Sequence, residues 1–178
     1  MASLAIAGLM AIFVFGFYGK VFLSPNDYMF SAHGDAMKNY YTYAYHIKHD
    51  SSYIEFEGMN YPYGEHFLYT DCHPLVANSV KLVSGIFPGI VNYSVGIINF
   101  LMILSFFLTV FLLYVIFKYF RVGPIAGVMG AIGITLLSPQ IFRMTGHLSL
   151  SYSFLFRLLF FSPTNVFQER LTGNGRCY

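Results

Sequence analysis

Charge is scarce in this 178-residue chain: Asp, Glu, Lys and Arg together make up 10% of it, against about 25% in an ordinary soluble domain. Hydrophobic residues make up 56% and mean hydropathy is +0.58, which excludes an ordinary soluble core and points to a membrane protein. There is no run of Lys or Arg and no basic helix face. A net charge of +2 gives nothing to track a phosphate backbone, so nucleic acid is not an expected partner. The two cysteines, Cys72 and Cys177, make neither a CxxC pair nor a disulfide framework and leave the redox compartment open. The N-terminus lacks the basic region and small-residue cleavage site of a signal peptide, so its apolar run reads as a retained helix. No acidic residue lies inside an apolar segment, which counts against a proton-coupled transporter.

What is there is an all-α pattern with about four transmembrane helices. Residues 1–19 are uncharged and the run continues past Lys20 to Leu23, enough for a hydrocarbon core that takes about 20 residues at 1.5 Å each. Residues 82–117 carry no charge, and Ser84-Gly85 and Pro88-Gly89 are natural breaks, so the second span is expected at about 92–117. A third uncharged stretch covers 122–142. Its Gly123, Gly127 and Gly130 are available for close helix packing, and Pro139 is expected to end or kink it. A fourth segment, 148–161, is interrupted by Arg157 and gives way to an atypical polar tail over 162–178. Lys118 and Arg121 sit in the short turn between spans two and three, which predicts that turn to be cytoplasmic. The loop of about 24–91 and the segment 140–147 then share the opposite, extracytoplasmic face.

That loop holds most of the polar chemistry. Between Ser24 and Lys81 lie seven of the eight acidic residues and five of the six histidines. Ala36, Tyr40, Tyr43, Ala44 and Ile47 repeat with helical spacing, predicting a helix over 35–49 that lies in the membrane interface, with His46 and His49 on its wet faces. Tyrosines and phenylalanines between 53 and 63 suit the headgroup region, and 75–83 reads as a second short helix. Glu55 and Glu57 read as a solvated strand edge. Glu65 and Asp71 flank His66 and Tyr69 in a Gly/Pro-punctuated stretch.

Two chemistries compete for these groups. His33-x-Asp35 or Asp71-x-His73 has the donor types for a divalent cation such as Mg or Mn, with Asp35, Asp71 and His73 the candidate ligands; without HExxH or a Cys pair the spacings do not demand one. Alternatively, a carboxylate near the bilayer surface is partly desolvated and suited to take a proton from a hydroxyl. Asp35, soon after the first span, is best placed for that, although on spacing alone a helix cap is its plainer role. Arg143 either anchors at the interface or, with His147, binds an anionic lipid phosphate.

The order first span, His33-Gly34-Asp35, the stretch Gly58 to His66, Tyr69-Thr70-Asp71, then Arg143 to Ser149 after span three resembles the N-terminal part of a bacterial GT-C-type membrane glycosyltransferase, over about residues 1–156. The resemblance implies a polyprenyl-phosphate-linked sugar as donor, membrane lipid around the site and a location in the bacterial cytoplasmic membrane. It implies Asp35 as the carboxylate that acts as general base or metal ligand, Asp71 as a second acid preferred over Glu65, and inversion at the anomeric centre. Arg143 and His147, with Glu65 and His66, would contribute substrate contacts. The family has more spans than this chain, so 1–161 reads as a partial module. The tail is expected to derive from truncation or a frame change, and the chain to be inactive alone. A noncatalytic accessory subunit of polysaccharide assembly is the alternative.

Overall fold

The computed structural model describes residues 2–71 and 73–152. Helix α1, Ala2–Leu23, is apolar around its circumference. It bends at Tyr18, whose φ of −123° and ψ of 23° leave the helical region. Helix α2 is Gly34–Lys48, followed by a small antiparallel hairpin of β1, Glu55–Phe56, and β2, Glu65–His66. A 3-10 turn over Phe67–Thr70 leads to α3, Pro74–Ser84. A second 3-10 turn, Pro88–Tyr93, feeds α4, Ser94–Tyr119. The chain then forms α5, Pro124–Leu136, and a single turn α6, Gln140–Arg143, before a 3-10 turn at Leu148–Ser151.

Among the described residues, three segments are long and apolar enough to cross a membrane: Leu4–Leu23, Pro88–Tyr119 and Pro124–Arg143. They are compatible with an integral membrane protein. The fourth expected span begins as the 3-10 turn at Leu148–Ser151; its remainder and the 162–178 tail lie outside the described residues.

α4 packs against both α1 and α5. Of the three glycines expected to permit close approach, two do so. A Cβ at Gly130 would lie 3.0 Å from the Phe117 ring, and one at Gly127 would lie 3.6 Å from Phe117 and Tyr114. Gly123 meets nothing within 4 Å; it precedes Pro124, which opens α5 at the position where its missing N–H costs least. Pro139 separates α5 from α6, as its lost donor and ring bulk require. The restart is held to α4 by polar side chains: Gln140 Nε2 donates to Ser105 Oγ at 2.5 Å, and Thr109 Oγ1 donates to Gln140 Oε1 at 3.4 Å.

The membrane helices and the polar loop share one core, running from Met10 of α1 and Met102 and Phe106 of α4 to Tyr43, Phe56 and Phe67 of the loop. Two asparagines clip the halves together. Asn99 of α4 is fully buried; its Nδ2 donates to the carbonyls of Pro25 and Tyr28 at 2.7 and 2.6 Å, while its Oδ1 accepts from the Tyr40 hydroxyl. Asn26 accepts from the Gly96 amide and donates to the Asn92 carbonyl.

α2 departs from the expected interfacial helix. Ala36, Tyr40, Tyr43 and Ile47 are buried as their spacing predicts, but so are Asn39, Thr42 and His46. The helix packs against both α3 and α4, so more than one stripe is covered. His46, expected on a wet face, is completely buried; His49 is exposed. The His46 ring stacks on Phe67 with centroids 3.5 Å apart. Its Nδ1 lies 2.6 Å from Asp50 Oδ2 and its Nε2 2.9 Å from Asn78 Oδ1. Asn78 donates its Nδ2 to the Tyr53 carbonyl, which turns its oxygen toward the imidazole. Asp50 Oδ1 accepts from the Glu57 amide. The cluster thereby ties α2, α3 and the hairpin.

Candidate functional site

The most polar convergence forms where the segment after α6 meets the end of the 3-10 turn before α3. Asp71 terminates that turn in a left-handed conformation, φ +57° and ψ 36°, which an Asp tolerates better than most residues. Its carboxylate accepts from His147 Nδ1 at 2.5 Å and from Ser149 Oγ at 3.3 Å. The Asp71 and His147 side chains are 30% and 43% exposed, so the pair is accessible from solvent. With Nδ1 committed to a carboxylate, the imidazole is oriented and Nε2 is the nitrogen left for a substrate proton or phosphate oxygen.

Packing carries His147 to this position. Met144 and Leu148, on either side of it, are buried apolar anchors, and Asn39 of α2 donates its Nδ2 to the Gly146 carbonyl at 2.6 Å. Asn39 Oδ1 is buried and has no hydrogen-bond partner among the described residues. His73, two residues after Asp71, is 4% exposed and likewise without a partner at Nε2 among the described residues. Burial pushes its pKa down to about 4 against the opposing pull of Asp71. Its ring meets Tyr152 edge-on at 5.1 Å. Burial raises the Tyr152 phenol, reinforced by the nearby Tyr40 phenol, and burial also raises Tyr40, to about 12.

The other expected residues are more scattered. Asp35 is exposed in the first turn of α2 and has no hydrogen bond or ion pair among the described residues. It does not cap the helix: the cap position is His33, and Gly34 takes φ +57° between them, displacing Asp35 one step into the helix. It stands one turn from Asn39, a separation of about 5–6 Å between Cβ atoms, and so neighbours the residue that holds Gly146. Arg143 is exposed at the end of α6 with no side-chain partner among the described residues. Glu65 accepts from Asn60 Nδ2 at 2.8 Å, and His66 accepts at Nδ1 from the Leu68 amide at 3.2 Å; both belong to the hairpin. No group of three or more His, Cys, Asp or Glu able to hold a metal occurs among the described residues.

Sequence reasoning missed Ser149, Asn39 and the His46–Asp50 pair. For the last, the i,i+4 spacing of an imidazole and a carboxylate was a usable signal; for Asn39 and Ser149 no local signal exists. No curated protein and no solved structure matches the chain. A family described as a domain of unknown function (DUF6311) matches residues 5–166, nearly the whole chain, and the protein belongs to that family.

Proposed function

We propose that this chain carries the site of a membrane glycosyltransferase that moves a sugar from a polyprenyl-phosphate donor to a lipid-linked or other extracytoplasmic acceptor. The observation that carries it is the Asp71–His147 pair: an oriented imidazole and a carboxylate joined across 76 residues, beside the helix that bears Asp35. In this reading Asp35, exposed and unpartnered among the described residues, takes the proton from the acceptor hydroxyl as it attacks the anomeric carbon. His147, held by Asp71, and Arg143 stabilise the departing phosphate, whose charge grows in the transition state. The site lies on the outer face of the bacterial cytoplasmic membrane, with the Lys118–Arg121 turn inside. A cysteine introduced in that turn should resist an impermeant thiol reagent in intact cells, and labelling there reverses the orientation.

A noncatalytic role in polysaccharide assembly is the second reading, favoured by the lack of any side chain orienting Asp35 among the described residues. One experiment separates them. Membranes containing a longer relative that carries the same residues are given a labelled polyprenyl-phosphate sugar, and transfer is compared with that of its Asp35→Asn variant. Loss of about 100-fold or more at unchanged protein level and insertion is expected for a general base; undiminished turnover removes Asp35 from the chemistry.

A further inference from the structure

The hairpin encloses a concavity that the chemistry above leaves unused. Its volume is about 700 Å³, within the roughly 300–1,000 Å³ usual for small-molecule sites. Its wall is built from rings and carboxylates, Tyr45, Tyr61 and Tyr63 with Glu55, Glu57 and Glu65, together with the His66 imidazole. No Lys or Arg lines it. The base is preformed, since Phe56 is fully buried, Tyr45 packs edge-on against it at 5.4 Å, and Phe67 beneath is stacked on the His46 ring. Gly64 closes the turn in a left-handed conformation, φ +65°, so near the strand that a Cβ there would sit 3.0 Å from the Phe56 carbonyl oxygen. The amides of Tyr63 and Gly64 both donate to the Asn60 carbonyl. That turn presents Tyr61 and Tyr63, each 93% exposed, at a cost in hydrophobic burial that nothing in the fold recovers.

We infer that this concavity binds a neutral saccharide, the glycan part of the acceptor; its place in the reaction rests on the glycosyl-transfer reading above, whereas the binding itself does not. Carboxylates accept hydrogen bonds from vicinal hydroxyls, and the apolar C–H face of a pyranose lies against an aromatic ring. One Glu65 oxygen is held by Asn60, which orients the other. Three carboxylates outnumber the one imidazole on the wall, whose Nδ1 already accepts from the Leu68 amide, and repel phosphates and uronic acids, so the polyprenyl-phosphate donor does not enter here. A quaternary ammonium wants rings folded round it within about 6 Å, but Tyr61 and Tyr63 make no ring contact with each other or with other rings among the described residues. Insertion into headgroups would bring the same carboxylates against anionic lipid. The placement suits an acceptor chain: in the chain only the 3-10 turn Phe67–Thr70, about 8 Å long at 2.0 Å per residue, separates His66 of the hairpin from Asp71.

The test is calorimetric titration of the whole protein in nanodiscs of zwitterionic lipid with maltohexaose, cellohexaose and mannohexaose, alongside hexagalacturonate and choline. Binding of at least one neutral hexasaccharide is expected. It should weaken by about tenfold or more in the Tyr61→Ala, Tyr63→Ala double variant, which removes stacking platforms without touching the core. Glu57→Gln should weaken it as well. The inference is overturned if no neutral hexasaccharide binds, if the double variant binds like the parent, if choline or hexagalacturonate binds with the same sensitivity to the double variant, or if that variant instead lowers affinity for anionic vesicles. Saccharide binding without sugar transfer upholds this site while the transferase reading fails; transfer without saccharide binding does the reverse.

Discussion

His147 donates from Nδ1 to the Asp71 carboxylate at 2.5 Å although 76 residues separate them. The contact joins the segment after the third apolar helix to the loop after the first, and both of its members remain within reach of solvent. A purely structural ion pair gains little from such exposure, whereas a proton-handling or phosphate-binding pair requires it.

His147→Ala and Asp71→Asn should therefore separate stability from activity. Thermal unfolding in detergent should register no more than about 1 kcal/mol for either change, because the pair is partly screened by water. Sugar transfer should fall by about 100-fold in His147→Ala. A large loss of stability with unchanged transfer would assign the pair to architecture alone.

The His46–Asp50 pair should behave oppositely. Both groups are buried, at 0% and 7% exposure, and His46→Ala leaves a carboxylate without its principal partner. A loss of about 3–5 kcal/mol is expected in chemical denaturation of the solubilised protein. An effect below about 1 kcal/mol would mean that the buried cluster does not hold α2 to α3 and the hairpin.

His73 makes stability depend on pH. Its folded pKa is lowered from 6.5 to about 4, chiefly by burial, so between those values the unfolded chain binds more protons than the folded one. Its contribution is complete above pH 6.5, declines as pH falls toward 4 and levels off below that, amounting to at most about 3 kcal/mol. His73→Phe should flatten this part of the stability profile, measured by unfolding at successive pH values. An unchanged slope would show that another group controls it.

The α4–α5 contact has its own test. Gly130→Ile places branched carbon against the Phe117 ring, which already lies 3.0 Å from the Cβ position, and should cost about 1–3 kcal/mol by overpacking. Gly133→Ala, where a Cβ meets nothing within 4 Å, should be neutral or slightly stabilising. Equal effects on melting temperature at the two positions would place the helix contact elsewhere.

Much of the helical frame was legible in the chain. α2 at Gly34–Lys48 falls where periodicity predicts a helix, α3 at Pro74–Ser84 where a second short helix is expected, and α4 and α5 within the uncharged stretches interrupted by Gly/Pro breaks. Their signals are local, since a run of apolar residues or a Pro acts through neighbouring backbone. The environment of α2 was not legible, because His46 looks equally suited to solvent or to a buried acid until α3 and the hairpin close over it. The candidate site divides in the same way. Asp71 and His147 stood out by residue type and by their expected side of the membrane, yet nothing in their spacing says that they touch. Asp35 was legible as a carboxylate at a helix start but not as a residue left without a partner.

The amino-acid sequence by itself determined that this is a mostly helical, membrane-compatible chain with its acids and imidazoles gathered into one loop. Hydropathy and charge segregation act over one helix length and need no distant contacts to be read. Only the tertiary structure decided which imidazole meets which carboxylate. His46 became a buried tie because α2 and α3 enclose it. His147 became an accessible partner of Asp71 because Met144, Leu148 and Asn39 anchor its segment. Partner choice among similar polar groups depends on where packing brings the chain, and burial sets whether a pair serves mainly to hold the fold or remains open to chemistry.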